Sequence, residues 1–285
     1  MFATTESVEL ARTCTVLQHD PPLERRTSAD FRPVATCSQP SARYRRGMSD
    51  EGQTAGTDDD RLAALREAEA KAFAIFDAVE SRGVIRAGRS EREMSDEIRD
   101  IAKGELGTRR FWHKRILRGG PNTVHPYSVN PPEHVLGEND ICFVDLGPVF
   151  AEWEADIGRT YVVGDDPEMH AIAEAAERIW VESHSAFLAA PGMTGAELFA
   201  DVRARIAEAG YEHAEKHVGH LIGSFPHARI PDDAKANYLA PGNDRPLRGA
   251  GPDGRRLFWI LEVHLRHRSG AYGAFVERLL DDRGR

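Results

Sequence analysis

Cysteine is scarce in this chain of 285 residues: there are three, Cys14, Cys37 and Cys142. An odd and sparse set is no disulfide framework, and a reducing, cytoplasmic setting is the expectation. No apolar run approaches the eighteen residues that a membrane-spanning helix needs, so no membrane partner is expected. Positive charge is not in excess either. With 37 basic against 46 acidic residues and a net charge of −9, nucleic acid is not an expected partner. No charged segment followed by an apolar one opens the chain, so a secretory leader is not expected. What remains, with 41 % hydrophobic residues, is the composition of a mildly acidic globular protein.

Periodicity is missing from residues 1–57, which are rich in Pro, Ser, Thr and Arg, with basic pairs at Arg25-Arg26 and Arg45-Arg46. They read as a disordered N-terminal extension, with a basic interaction arm or an organelle-targeting segment as the functional alternatives and Met48 as an alternative start. From Asp58 the pattern changes. Leu62, Leu65, Ala68, Ala72, Ile75, Phe76 and Val79 recur at helical spacing behind three aspartates, which suit a helix N-terminus. Two later segments, Gly88-Arg-Ser90-Glu-Arg-Glu93 and Gly192-Met-Thr194-Gly-Ala-Glu197, share a capping box that opens a helix. Each follows another helix and precedes strand-like sequence, so residues 58–285 read as one domain of two similar halves. The expected class is α+β, an antiparallel sheet covered by helices, with strand-like sequence from about Phe111 to Leu117 ahead of the first hairpin and two helices across Pro167–Ala209.

Chemistry concentrates in two hairpins. Ile141–Leu146 and Asp156–Val163 are strand-like runs, and a reversal near Phe150 and Ala151 would set Asp145 opposite Asp156. Leu257–Val263 and Tyr272–Glu277, reversing at Ser269-Gly270, would set Glu262 opposite Glu277. Carboxylates so close repel unless a cation lies between them. His220, in the glycine-containing run His217-Val-Gly219-His220-Leu-Ile-Gly223, offers a nitrogen. One imidazole with four carboxylates is a hard, oxygen-rich donor set that suits two Mn, Fe, Co or Zn ions better than a closed structural zinc. Two such ions about 3.5–4 Å apart activate water and polarise a carbonyl, which is what hydrolysis requires. His217 reads as a bystander facing away from His220, Cys142 as core, Arg159 as a partner of an acid or a support of the sheet, and His264 and His267 as scaffold. Pro231–Arg256 reads as a rim or lid loop.

The ordered set Asp145, Asp156, His220, Glu262 and Glu277 resembles the pita-bread metallopeptidase family, which includes methionine aminopeptidase, aminopeptidase P and prolidase. The resemblance runs from about Arg61 to the C-terminus and implies the pita-bread fold, with two pseudo-symmetric halves and a curved antiparallel sheet. It implies that those five residues bind two divalent ions, manganese foremost, and that Glu262 accepts the proton of the attacking water. His227 and His125 take the positions of the family's histidines that hold the oxyanion and leaving group. The implied activity is an aminopeptidase or dipeptidase of the Xaa-Pro type, with a free-N-terminus peptide as partner and a second copy of the chain as a further candidate. Two departures bear on substrate. Glu262 is followed by Val263-His264 in a short hairpin, and Phe275 stands where proline-specific members usually carry Arg. Methionine aminopeptidases usually carry Gln there and Cys before the upstream His, and this chain has neither. A catalytically silent peptide binder and a hydrolase of a non-peptide amide, such as creatine, are the other readings.

Overall fold

The computed structural model describes residues 56–282, so the expected N-terminal extension lies outside the described residues except for its last two positions. Helix α1 (Asp58–Ser81) starts where the sequence changes character. The Thr57 side chain accepts from the Asp60 N–H while the Asp60 carboxylate accepts from the Thr57 N–H, closing a capping box. The apolar positions read from the sequence are its buried face. Helix α2 (Glu91–Gly104) and helix α4 (Gly195–Glu208) open on the two predicted capping boxes, Ser90 with Glu93 and Thr194 with Glu197. Helix α3 (Pro167–Ala189) starts on Asp166 with Pro167 in its first turn, where the missing N–H costs nothing.

The strands are β1 (Ile116–Gly119), β2 (Asp140–Leu146), β3 (Val149–Phe150), β4 (Trp153–Glu154), β5 (Ile157–Val163), β6 (Glu212–His213), β7 (Leu221–Ile222), β8 (Phe258–Arg266) and β9 (Gly273–Leu279). Seven of them form one antiparallel sheet in the order β1-β2-β5-β9-β8-β6, with β7 also on β8. The order mirrors about its middle: a long helix, a short helix, an edge strand and a hairpin occur on each side. The strand expected from Phe111 is shorter than predicted. Phe111 makes a single bridge to Pro148, and regular pairing begins at Ile116.

Alternation along the strands separates core from site. Cys142, Val144 and Leu146 of β2 pack with Ala72, Ile75, Phe76, Met94 and Ile98 of the first helix pair. Trp259, Leu261, Val263 and Leu265 of β8, with Ala274 and Val276 of β9, pack with the second pair. The intervening residues, Phe143, Asp145, Glu262, His264, Phe275 and Glu277, therefore share the face away from the helices. Arg159 binds Glu80 of α1 at 2.5 Å and lies over the Phe76 ring, so it supports the sheet.

The hairpin β8–β9 has the predicted register, Glu262 opposite Glu277. The first hairpin does not. Asp145 pairs with Gly158, and Leu146 with Ile157, so Asp156 lies just beyond the last pair. Between the strands sits a second small hairpin, β3–β4, which turns at Ala151 and Glu152, both at positive φ (45° and 71°). That is the backbone of a two-residue hairpin turn, one position later than expected. The shift amounts to two residues across the ladder, so Asp145 and Asp156 keep a common face.

Candidate metal centre

The pairings form one continuous row across five strands: Ile116, Asp145, Gly158, Glu277, Glu262. Three carboxylates of the predicted set thus stand side by side, with a glycine in the middle. A Cβ built on Gly158 would fall 2.4 Å from Phe275 Cε1 and 3.0 Å from Glu277 Cβ, so only glycine leaves this floor open. Asp156 enters from the end of the β3–β4 hairpin, and all four acids are buried. His220 arrives beside β8, where its carbonyl accepts from the Ile260 N–H at 2.8 Å. Its Nε2 lies 3.2 Å from Asp156 Oδ2 and 3.5 Å from Glu277 Oε1.

His113 also belongs to the site, and the sequence reading missed it. Its Nε2 is 3.0 Å from Asp156 Oδ1 and 3.5 Å from Asp145 Oδ1. Nothing in the local spacing marks it, because it precedes β1 in an irregular segment. That segment is pinned by Trp112 N–H to the Gly147 carbonyl (2.8 Å) and Val149 N–H to the Arg110 carbonyl (3.1 Å). Two triads result, His113–Asp145–Asp156 and Asp156–His220–Glu277, each with its ligand atoms within 4.8 Å of one another. They share Asp156. Glu262 stands beside them with Oε1 2.6 Å from His217 Nδ1. The expectation that His217 faces away fails because residues 214–220 are no regular strand, and Gly219 at φ 144° breaks the alternation. His217 instead stacks on Tyr238, ring centres 4.8 Å apart, inside the same cavity.

Burial and mutual repulsion govern the charges. Burial, reinforced by Asp156 and Glu262 against the pull of His113, lifts Asp145 to about 7. Burial, followed by the Asp156 charge, holds Glu277 well above the carboxylate range. Burial also acts on Asp156, but His113 and His220 outweigh it and hold the group at about 2. For Glu262 burial is likewise outweighed, chiefly by His217, and the carboxyl is held low. Burial would neutralise His113, yet the charges of Asp156 and Asp145 hold it at about 9. His220 is held high in the same way. Asp145 Oδ1 is buried without a hydrogen bond among the described residues, whereas Glu262 Oε1 is paired with His217. Four buried carboxylates, one of them with an unbonded oxygen, and flanking imidazoles suit two divalent cations.

The acids and imidazoles line a cavity of about 480 Å³. His125 and His227 line it too, as do Trp112, Arg118, Tyr127, Tyr238 and His264. His227 is fixed from behind: its backbone N–H donates to Glu154 Oε1 (3.1 Å) and its Nδ1–H to Glu154 Oε2 (2.7 Å). Glu154, 1 % exposed, is a second residue the sequence reading missed. The His125 carbonyl accepts from Arg118, which also donates to the Val129 carbonyl at 2.6 Å and so anchors the loop. Ile116, Phe143 and Phe275 form an apolar wall. His264 closes it, its Nε2–H donating to the Thr123 carbonyl at 2.7 Å. From the Pro231–Arg256 loop, Asn237 and Tyr238 reach this lining.

Paired carboxylate and imidazole triads on one face of a mirrored α+β sheet define a class of protein whose central site is fit to hold two metal ions. The chain belongs to Metallopeptidase family M24, whose profile matches residues 63–250. Among its relatives, a Xaa-Pro dipeptidase of Pyrococcus horikoshii is 30 % identical over 159 residues, covering 54 % of this chain and 42 % of that protein. A methionine aminopeptidase of Clostridium acetobutylicum is 32 % identical over 122 residues, covering 41 % of this chain and 46 % of that protein. The chain thus spans less than half the length of these relatives. Among solved structures, a recombinant prolidase of Thermococcus sibiricus superposes with a TM-score of 0.63 at 23 % identity, over 80 % of this chain and 60 % of that one. A methionine aminopeptidase of Thermotoga maritima gives 0.60 at 17 % identity, over 79 % and 94 %. At such identities the superpositions speak for the fold. Among the described residues no helix is long and apolar enough to cross a membrane.

Proposed function

We propose that this protein is a dinuclear metal-dependent aminopeptidase or dipeptidase that cleaves the first peptide bond of substrates of the Xaa-Pro type. The observation that carries the reading is the cross-sheet row, which gathers Asp145, Glu277 and Glu262 beside Asp156 and His220 at the floor of one cavity. Those five residues would hold two divalent ions, manganese foremost, in a cytoplasmic setting. When bound, the ions supply Lewis acidity toward the scissile carbonyl and lower the pKa of water. Glu262 is the group to accept the proton of that water: its carboxylate lines the cavity beside the two triads, and His217, 2.6 Å from its Oε1, favours its ionised form. His227, with Nδ1 tied to Glu154, presents Nε2 to the cavity to hold the oxyanion. His125, on the loop anchored by Arg118, receives the leaving group. The Ile116–Phe143–Phe275 wall favours an apolar side chain next to the reacting bond.

Hydrolysis by metal-free protein reconstituted with Mn, Co, Fe or Zn tests this, against Xaa-Pro dipeptides, Xaa-Pro tripeptides, Met-initiated peptides and creatine. Cleavage of Xaa-Pro bonds at two metals per chain is the expected result, with Asp156→Ala and His220→Ala inactive but folded. Metal bound with no turnover of any Xaa-Pro peptide would overturn the activity, and full turnover in either variant would overturn the site.

A further inference from the structure

We propose that His113 is a metal ligand, the imidazole of one seat of the dinuclear centre as His220 is of the other; the proposal rests on the dinuclear reading above. Two histidines meet the acids in the same way. His113 donates its Nδ1–H to the carbonyl of the next residue, Lys114, at 2.7 Å, and His220 donates its own to the carbonyl of Leu221 at 2.9 Å. A carbonyl only accepts, so in the neutral ring each Nε2 carries the lone pair, and in both cases it is aimed between two carboxylate oxygens. The separations are 3.0 and 3.5 Å for His113 and 3.2 and 3.5 Å for His220. Ligands 2.0–2.2 Å from a common ion at tetrahedral to octahedral angles lie about 2.8–3.6 Å apart, so both sets fit. Asp156 divides evenly between them, Oδ1 toward His113 and Oδ2 toward His220.

The position of His113 is built into the fold. Its side chain is 8 % exposed. Trp112 Nε1–H donates to the Ala155 carbonyl at 3.0 Å, one residue from Asp156. Gly147 leaves the space: a Cβ there would stand 2.1 Å from His113 Cδ2 and 2.5 Å from Trp112 Nε1. The consequence is chemical. Without His113 its seat offers carboxylate oxygen alone, which suits Mg or Mn; with it, the seat carries nitrogen and takes Zn, Co or Fe more strongly.

Cobalt-loaded full-length protein tests the assignment by proton NMR, since the exchangeable ring N–H of a coordinated histidine is strongly shifted by the ion. The expected result is that His113→Ala removes one such resonance and His220→Ala removes a different one. Zinc titration should show one of two binding steps weakened at least ~10-fold in His113→Ala. Circular dichroism of the metal-free variants establishes folding, and His113→Gln serves if the alanine variant does not fold. If wild type takes two ions and His220→Ala removes a resonance, but neither His113 variant changes the spectrum or the affinities, the His113 assignment fails alone. If wild type takes no ions, or His220→Ala changes nothing, the dinuclear reading fails with it.

Discussion

Gly158→Ala adds a single methyl at the centre of the carboxylate row, and the structure fixes what it meets. Gly158 pairs with Asp145 on one side and Glu277 on the other, so the new Cβ points to the site face with them. Its φ is not in the left-handed region, so the backbone itself accepts alanine. The cost is contact: Phe275 Cε1 at 2.4 Å and Cδ1 at 2.7 Å are more than 0.7 Å inside an ordinary carbon–carbon separation of about 3.5–4.0 Å. Phe275 has little room to withdraw, being 5 % exposed and packed on Phe143 with ring centres 5.0 Å apart. Overpacking of this kind costs about 1–3 kcal/mol. The stiffer unfolded chain returns about 0.4–1 kcal/mol. A net loss of about 1–2 kcal/mol is expected, which in a domain of this size lowers Tm by about 2–8 °C. Calorimetry of metal-free protein measures it, and a double-mutant cycle with Phe275→Leu isolates the contact. The pair should be less destabilised than the sum of the singles by about 1 kcal/mol or more. A higher Tm for Gly158→Ala, or strict additivity with Phe275→Leu, would refute the claim that the glycine exists to keep this floor clear.

Other expectations follow from the same geometry. The Thr160 hydroxyl donates to the Phe275 carbonyl and accepts the Phe275 N–H, both at 2.8 Å, linking β5 to β9 beyond their one paired position. Thr160→Val leaves both groups without their partner and should cost about 2–4 kcal/mol in urea unfolding; a loss below ~0.5 kcal/mol would contradict it. Glu154→Gln can no longer accept from both His227 N–H groups, so kcat should fall about tenfold on any cleaved peptide with KM little changed, and unchanged kcat would remove His227 from oxyanion binding. Burial, only partly offset by Thr123, holds His264 at about 4 against an ordinary 6.5. The unfolded chain therefore takes up a proton between pH 6.5 and 4 that the native one refuses, so this group's contribution is complete above 6.5 and falls as pH drops toward 4. The loss is on the order of 3 kcal/mol, and His264→Gln should flatten the stability curve of metal-free protein across that window. Finally, Asp145 at about 7 and Glu277 above its usual range must both be ionised to bind metal. Metal affinity should therefore rise from pH 6 to 8 with release of protons, measurable by calorimetry in buffers of different ionisation enthalpy; a pH-independent affinity would count against these residues as ligands.

Why some of this site could be read from the chain and some could not comes down to where regular structure stops. The Glu262–Glu277 pair was legible because a short turn at Ser269-Gly270 joins two regular strands, and a short turn fixes the register on both sides of it. The Asp145–Asp156 register was off because Ala151 and Glu152 adopt positive φ without the Asn or Gly that usually advertises such a turn. That error was harmless for a physical reason: side chains alternate with period two, so a shift of two residues leaves both acids on the same face, whereas a shift of one would have put them on opposite faces. The five expected ligands could be picked out for a related reason, since four of them lie on these hairpins or at their ends. His113, Glu154 and His217 have no such protection. His113 and His217 sit in irregular chain, and Glu154 in a two-residue strand of a hairpin that strand patterning did not resolve. Their roles depend on long-range packing, such as the room left by Gly147 or the contact of Glu154 with a histidine 73 positions away. The three residues that the sequence reading missed or misassigned are therefore the ones that place an extra nitrogen near Asp145, orient His227 and set the charge of Glu262. They are also the residues expected to tune metal preference and rate at this site, because the carboxylate row alone leaves those properties open.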